Sequence, residues 1–478
     1  MNNKQGISII LAAATMLLAC CSDAPGICDG QQLQSTLDGA RPGDIVTMGA
    51  CTIEGTFEIP SGVTLEGADA ASSIIKVLPG EIGLILSPGP GHTYVRNLRV
   101  ESRTGTAAIL AEDIAQVSLH NVTLVADRGI GIGLERVDAA DFLDVGVIGP
   151  IFAANANDLA LADQNAVTGD VTATHGVVFF DVGNAHLFDL TTNGFAKFGA
   201  LFVNSSIVWT GGDASANLGT GVMVDGGRAS LIDIEINETL KGLRLIPAYS
   251  AVFANSADIL TQRLIMRDNE GYGALHSEAT AIHLDAVVEG NGDAGMWVQN
   301  VSFFEMAGPD TVLKRNKFGG VVAVNSSNVA LSDVTIDSTE LSPWLLDPEN
   351  FVMIGDGVHL DKTTQGVDLT RVKLVDNERV GLLIDIGSQE LSSVDIEFNE
   401  VEVAVAGVAG MPHGAILQGE NSVIAPGTDD WDTNITRDQG ATDNDSGLLE
   451  PLGVPDIIDS GNISSHRDNL IQIIRPMN

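Results

Sequence analysis

The sequence predicts an all-β chain wound as a parallel solenoid, each turn lying over the one before. Three observations predict it. A glycine recurs at Gly199, Gly221, Gly242, Gly273, Gly295, Gly320, Gly357 and Gly381, mostly 21 to 25 residues apart, with steps of 31 and 37 that read as insertions. An asparagine stands four residues before several of them, at Asn269, Asn291, Asn316 and Asn377. Between these marks run segments that alternate apolar and polar residues, such as IHLDAVVEGNGDAGMWV and VDLTRVKLVDNERVGLLI. Alternation marks half-buried strands, and self-similarity at a fixed spacing marks repeats that bury an apolar face only by stacking. Asparagine tolerates the left-handed backbone of a sharp turn. Stacked about 4.8 Å apart, its amides can bond to one another. Asn237, Asn269, Asn291, Asn316, Asn377 and Asn399 are the expected ladder. An antiparallel sandwich is the weaker reading, because hairpins favour Asn and Gly directly adjacent.

Composition agrees. The chain has 53 glycines among 478 residues and only 5% aromatics, which suits many strands and tight turns better than packed helices. The formal net charge of −39 repels phosphate backbones, so nucleic acid is excluded as a partner. That charge confers solubility. It could also gather Ca²⁺, a hard cation that takes oxygen ligands.

The chain opens MNNKQGISIILAAATMLLACCSD. Lys4 precedes an apolar run from Ile7 to Leu18, too short to span a bilayer and typical of a signal peptide over residues 1–19. The run closes on Leu17-Leu18-Ala19-Cys20. This resembles the bacterial lipoprotein box and implies lipidation of Cys20, a tether over 20–27 and attachment to the cell envelope, with the outer membrane favoured. An ordinary secretory signal is the alternative. Cys28 and Cys51 can oxidise in an exported chain. Their bridge would close a loop worth about 3 kcal/mol in the chain-entropy model.

From Gln31, QQLQSTLDGA sets Leu33 and Leu37 on one helix face, and Gly39 and Pro42 stop it, so 28–43 reads as a short N-terminal capping helix. The stretch LDGARPGDIVTMGACTIEGTFEIPSGVTLEGA then resembles the entry to single-stranded right-handed parallel β-helices of the pectin-lyase-like superfamily. The resemblance implies such a helix, with its repeats, over 44–419. Two segments break the period. STELSPWLLDPENF, residues 338–351, is a loop thrown out of one turn, and the acidic tail 420–478 is a loose wrap or cap.

Alternation after each ladder glycine sends the second and fourth residues outward. That row holds Arg244, Trp297, His359, Asp361 and Asp385, a candidate ligand groove in which Trp297 could stack on a sugar and Asp361 and Asp385 face each other one turn apart. In the superfamily, polysaccharide lies along such an exterior sheet. Trp297 covering apolar wall and Arg244 screening acid are the plain readings of the same residues. His175, His186, His276 and His283 read as satisfied or partly buried. Catalytic residues are not identified. The Gly-His-Gly and Arg-x-Pro-x-x-Arg patterns of the superfamily's hydrolases and lyases are absent from the sequence. The reading is a lipid-anchored envelope protein that binds a surface glycan or serves structurally. A polysaccharide lyase or hydrolase and a surface adhesin are the alternatives. Oligomeric state is left open.

Overall fold

The computed structural model describes residues 26–150, 175–240, 250–345, 351–361, 363, 365–378, 380–387, 392–397, 400–403, 413–419 and 435–437. Cys20, Arg244 and Asn399 lie outside them, as do 1–19 and nearly all of 420–478. No helix among the described residues is long and apolar enough to cross a membrane.

The chain enters through one helix, Gly30–Gly39, whose first turn is capped by the Asp29 carboxylate accepting from the Gln32 N–H at 2.8 Å. Leu33 and Leu37 are buried under it. Gln34 does a second job. Its amide donates to the Glu58 carbonyl and accepts from the Glu58 N–H, at 3.2 and 3.0 Å. The side chain thus stands in for the neighbour that the strand Phe57–Ile59 would lack at the end of the wall. Cys28 and Cys51 are joined, with Cα atoms 5.9 Å apart, which ties the segment before the helix to the first circuit.

Beyond this cap the wall is built from parallel strands in register. One column of facing residues runs Tyr94, Ser118, Asp141, His186, Val208, Ser230, Leu260, Ile282, Glu305 and Ala330. The corners between wall segments are set by single residues with positive φ. Asn97, Asn121, Asp144, Asp189, Asp233 and Asp285 line one corner, and Asp113, Arg136, Asp181, Asn204, Asn300 and Asn325 line another, with φ between 47° and 56°. Asn and Asp dominate because they tolerate this region best among residues with a side chain. Among the described residues, the one antiparallel pairing joins Ser342–Leu345 to Phe351–Asp361, so part of the predicted 338–351 loop is a hairpin arm.

Closure corrects the expected architecture. The sequence predicts a single-stranded right-handed parallel β-helix of pectin-lyase type, with a short N-terminal capping helix. The strands instead belong to one parallel hydrogen-bonded sheet, in which each segment pairs with the circuit before it and the circuit after it. Ile130–Ile148 pairs with both His175–Phe180 and Asn184–Asn193, and Phe198–Asp213 pairs with the same two. The fold is an all-β, closed parallel β-barrel, with one short helix among the described residues. The physical reason lies in the corners. A single left-handed residue re-aims the backbone while both flanking segments stay bonded, so wall segments merge instead of remaining separate faces.

The inward residues form a continuous core of Val, Leu, Ile, Ala and Phe. Asparagines close its turn side. Asn269 Nδ2 donates to Asn291 Oδ1 at 2.9 Å, and Asn291 Nδ2 to Asn316 Oδ1 at 2.8 Å; all three are buried. Asn377 accepts from the Thr339 N–H at 3.2 Å, so Thr339 fills the slot between Asn316 and Asn377. Asn217, at the same spacing before Gly221, also belongs here, accepting from the Phe195 N–H. Asn237 does not. It faces Arg267, two residues short of Asn269, and its place is taken by Thr239. The four-residue spacing has a steric origin. A Cβ on Gly295 would lie 2.9 Å from Asn316 Nδ2 and 2.8 Å from the Gly320 carbonyl oxygen, and one on Gly357 would lie 2.8 Å from Asn377 Nδ2.

The core also holds two histidines. His276 and His283 meet Nε2 to Nε2 at 2.9 Å, and His283 Nδ1 bonds Thr261 Oγ1 at 2.8 Å. Burial pushes His276 well below its ordinary range and His283 down to about 3, and it likewise holds His175 at about 3. These rings are neutral in the fold.

Two outcomes are expected. Gly295→Ala should lower the unfolding free energy by about 1–3 kcal/mol, read from the urea midpoint, because the added methyl overpacks the ladder. Acid should weaken the fold. The unfolded histidines bind a proton below 6.5 and the folded ones do not, so stability is full above 6.5 and falls as pH drops toward about 3. The slope is about 1.4 kcal/mol per pH unit for each ring. A His276→Leu, His283→Met double variant should show a shallower slope in denaturation at a series of pH values.

Candidate functional site

The predicted groove is on one face but is not open. Trp297, Val322 and His359 face one another on successive strands, and Gln299, Val324, Asp361 and Asp385 do the same beside them. Strand geometry therefore brings four of the five predicted residues together; Arg244 lies outside the described residues. Their exposure is the correction. Trp297 and Asp361 are 1% exposed and His359 is 0%. Trp297 sits in a second apolar cluster with Phe253, Tyr272, Leu275, Phe318 and Val322, on the side of the wall away from the main core. Its ring lies 5.7 Å from Tyr272 and 5.8 Å from Phe318, and its Nε1–H donates to Gln299 Oε1 at 3.3 Å. Burial also pushes the Tyr272 hydroxyl well above its usual range. His359 Nδ1 stands 3.1 Å from the Asp356 carboxylate, both fully buried. Period-two alternation shows which way a side chain leaves the strand but not whether a second layer covers it.

The accessible candidate lies on the column of outward residues at the other end of the barrel. On Gly89–Ser102 it holds His92, Tyr94 and Arg96. On Ala107–Ala126 their partners in register are Gln116, Ser118 and His120. On Ile130–Ile148 they are Ala139, Asp141 and Leu143, and on Asn184–Asn193, Asn184, His186 and Phe188. Three of the chain's 9 histidines thus share one wall. Leu143 and Phe188 are 48% and 47% exposed.

The contacts form a network. The His92 and Tyr94 rings lie tilted against each other with centroids 3.9 Å apart, and Tyr94 meets His120 edge-on at 6.0 Å. His92 Nε2 bonds Ser118 Oγ at 2.7 Å. Gln116 donates to one Asp141 oxygen at 3.0 Å, and His186 Nδ1 stands 3.6 Å from the other. Arg96 is held by Glu66 on the preceding strand, at 3.1 Å. Partial burial lowers the His92 pKa; the Asp141 charge opposes that shift and His120 adds to it. The neutral ring is thereby favoured as a hydrogen-bonding platform. Among the described residues no group of three or more His, Cys, Asp or Glu is arranged to hold a metal ion. The sequence offered His186 as a satisfied strand histidine. The missing signal was register, because an insertion sets Asp141 and His186 45 residues apart although they are direct neighbours.

No family model matches the chain, and no curated protein matches it. Solved structures resemble it distantly. The A-module of a mannuronan C-5 epimerase of Azotobacter vinelandii aligns over 87% of this chain and 97% of its own, at 13% identity and a TM-score of 0.42. Tailspike protein 3 of bacteriophage CBA120 aligns over 87% of this chain and 59% of its own, at 10% identity and 0.41. The catalytic unit of an alpha-1,3-glucanase of Streptomyces thermodiastaticus aligns over 86% and 68%, at 12% identity and 0.26. The epimerase and the glucanase act on carbohydrate, as their names state. The relationship is distant, and no residue role is carried over from it.

Trp297→Ala should cost about 3–5 kcal/mol in chemical denaturation, the loss of a large buried aromatic. A change within about 0.5 kcal/mol, as for an open surface position, would contradict its burial.

Proposed function

We propose that this chain binds carbohydrate on the exposed wall centred on Tyr94, Gln116, Asp141 and His186. The observation that carries the reading is the in-register interleaving of rings with planar polar groups on four adjacent strands. A sugar has C–H faces that pack on rings and hydroxyl edges that need donors and acceptors in fixed directions. Tyr94, His92 and Phe188 supply the first. Gln116, Asp141 and His186 supply the second, and the strand backbone fixes their spacing without ordering any loop. We further propose that the barrel is displayed at the cell envelope by a lipid on Cys20. The apolar run ending in Leu17-Leu18-Ala19-Cys20 supports this.

Tyr94→Ala should weaken glycan binding at least tenfold in calorimetric titration and leave the thermal midpoint near wild type, since Tyr94 is partly exposed. Equal affinity for wild type and variant would remove this wall as the binding surface. Labelled palmitate should enter the full-length chain in bacterial cells and fail to enter Cys20→Ser.

A further inference from the structure

The outward column that begins at His92 does not end at Asn184. His92, Gln116, Ala139 and Asn184 face one another in turn, and Ser206, Arg228 and Asp258 continue the line. Where it meets the corner, a cleft of about 440 Å³ opens, lined by Asp181, Asn204, Ser206, Arg228 and Asp258 among others. Two glycines adjoin it, and a Cβ on Gly227 would lie 2.3 Å from the Ser205 carbonyl oxygen. The corner that carries Asp181 and Asn204 in two circuits carries Gly226 in the next, followed by Gly227, with φ of 70° and 72°. Two side chains are therefore missing where the neighbouring circuits have them.

Arg228 is the second observation. Most arginines on this wall are neutralised by a carboxylate on an adjacent strand, as in Arg96 with Glu66, Arg263 with Asp233 and Arg371 with Asp333. Arg228 faces Asp258 in register yet enters no ion pair among the described residues; its Nε donates instead to Ser206 Oγ at 2.9 Å. On a chain with 63 acids and 24 bases, a guanidinium left with free donors beside available carboxylates is positioned for something else. The cleft offers it alongside acceptors on Asp181, Asn204 and Asp258, a set suited to adjacent hydroxyls. Two carboxylates against one guanidinium make it unsuited to a polyanion.

We infer that this cleft is a second subsite of the wall on which Tyr94 lies, so that one ligand spans both. Four strand spacings separate Gln116 from Arg228, about 19 Å. The ligand is then a linear, uncharged polysaccharide lying across the strands, several rings long, and open at both ends of the wall. This rests on the carbohydrate reading above.

The test uses the folded full chain against an array of neutral and uronate-containing oligosaccharides, each as a size ladder, followed by calorimetric titration of the ladder that binds. Affinity should rise at least tenfold from disaccharide to hexasaccharide on a neutral ladder. Arg228→Ala should erase that gain while disaccharide affinity and circular dichroism stay as in wild type, whereas Tyr94→Ala should weaken every length. Length-independent affinity, or an Arg228→Ala variant that keeps the gain, overturns the second subsite and leaves the first standing. Preference for the uronate ladder overturns the uncharged class. No binding to any ladder overturns both readings together.

Discussion

The structure depends on a row of buried amides that must find partners. Asn269, Asn291 and Asn316 are enclosed, and a buried amide left unbonded costs about 1–3 kcal/mol. Each satisfies the next only if successive circuits sit at one vertical offset. The glycine four residues on is drawn in so tightly that no side chain fits beside the neighbouring amide. Together these fix register. Register in turn decides which outward side chains stand next to each other, because a slip by one residue would exchange inside for outside.

Both outer surfaces inherit their character from that rule. Where apolar residues recur at one outward position, as in Phe253, Leu275, Trp297 and Val322, the result is a second packed cluster, and the polar residues interspersed there, Asp356 and His359, are drawn into it. Where the recurring positions are mixed, as in Tyr94, Asp141 and His186, the surface stays open and hydrogen-bonded. The same backbone therefore yields a dry face and a wet face, and composition at a few columns separates them.

Much of this was legible in the sequence. Strand content, parallel pairing, the short helix with Leu33 and Leu37 beneath it, and the amides of Asn269, Asn291 and Asn316 follow from spacing and alternation. Asn237 was misplaced because two asparagines in one turn compete for a single slot and only distance to the next strand distinguishes them. Closure was not legible, since it depends on the backbone staying bonded through corners such as Asn97 and Asp189, which look like ordinary turn residues. The outward direction of Trp297 and His359 could be read, but their enclosure could not. The exposed wall was missed because its residues come from circuits whose lengths differ. Tyr94, Ser118 and Asp141 are 24 and 23 residues apart, and His186 follows after 45.

The irregular circuits share one location. The strands that begin at His175, Ser250 and Phe351 all lie on the column that carries the Trp297 face, and each is reached after a long step in sequence. Added length at a junction costs only logarithmically in closure entropy, and pairing resumes in register on the far side each time. That junction is a natural seam for grafting: foreign sequence spliced there would ride on the barrel as cargo, its size nearly indifferent to the scaffold, while the wall bearing Tyr94 kept its geometry.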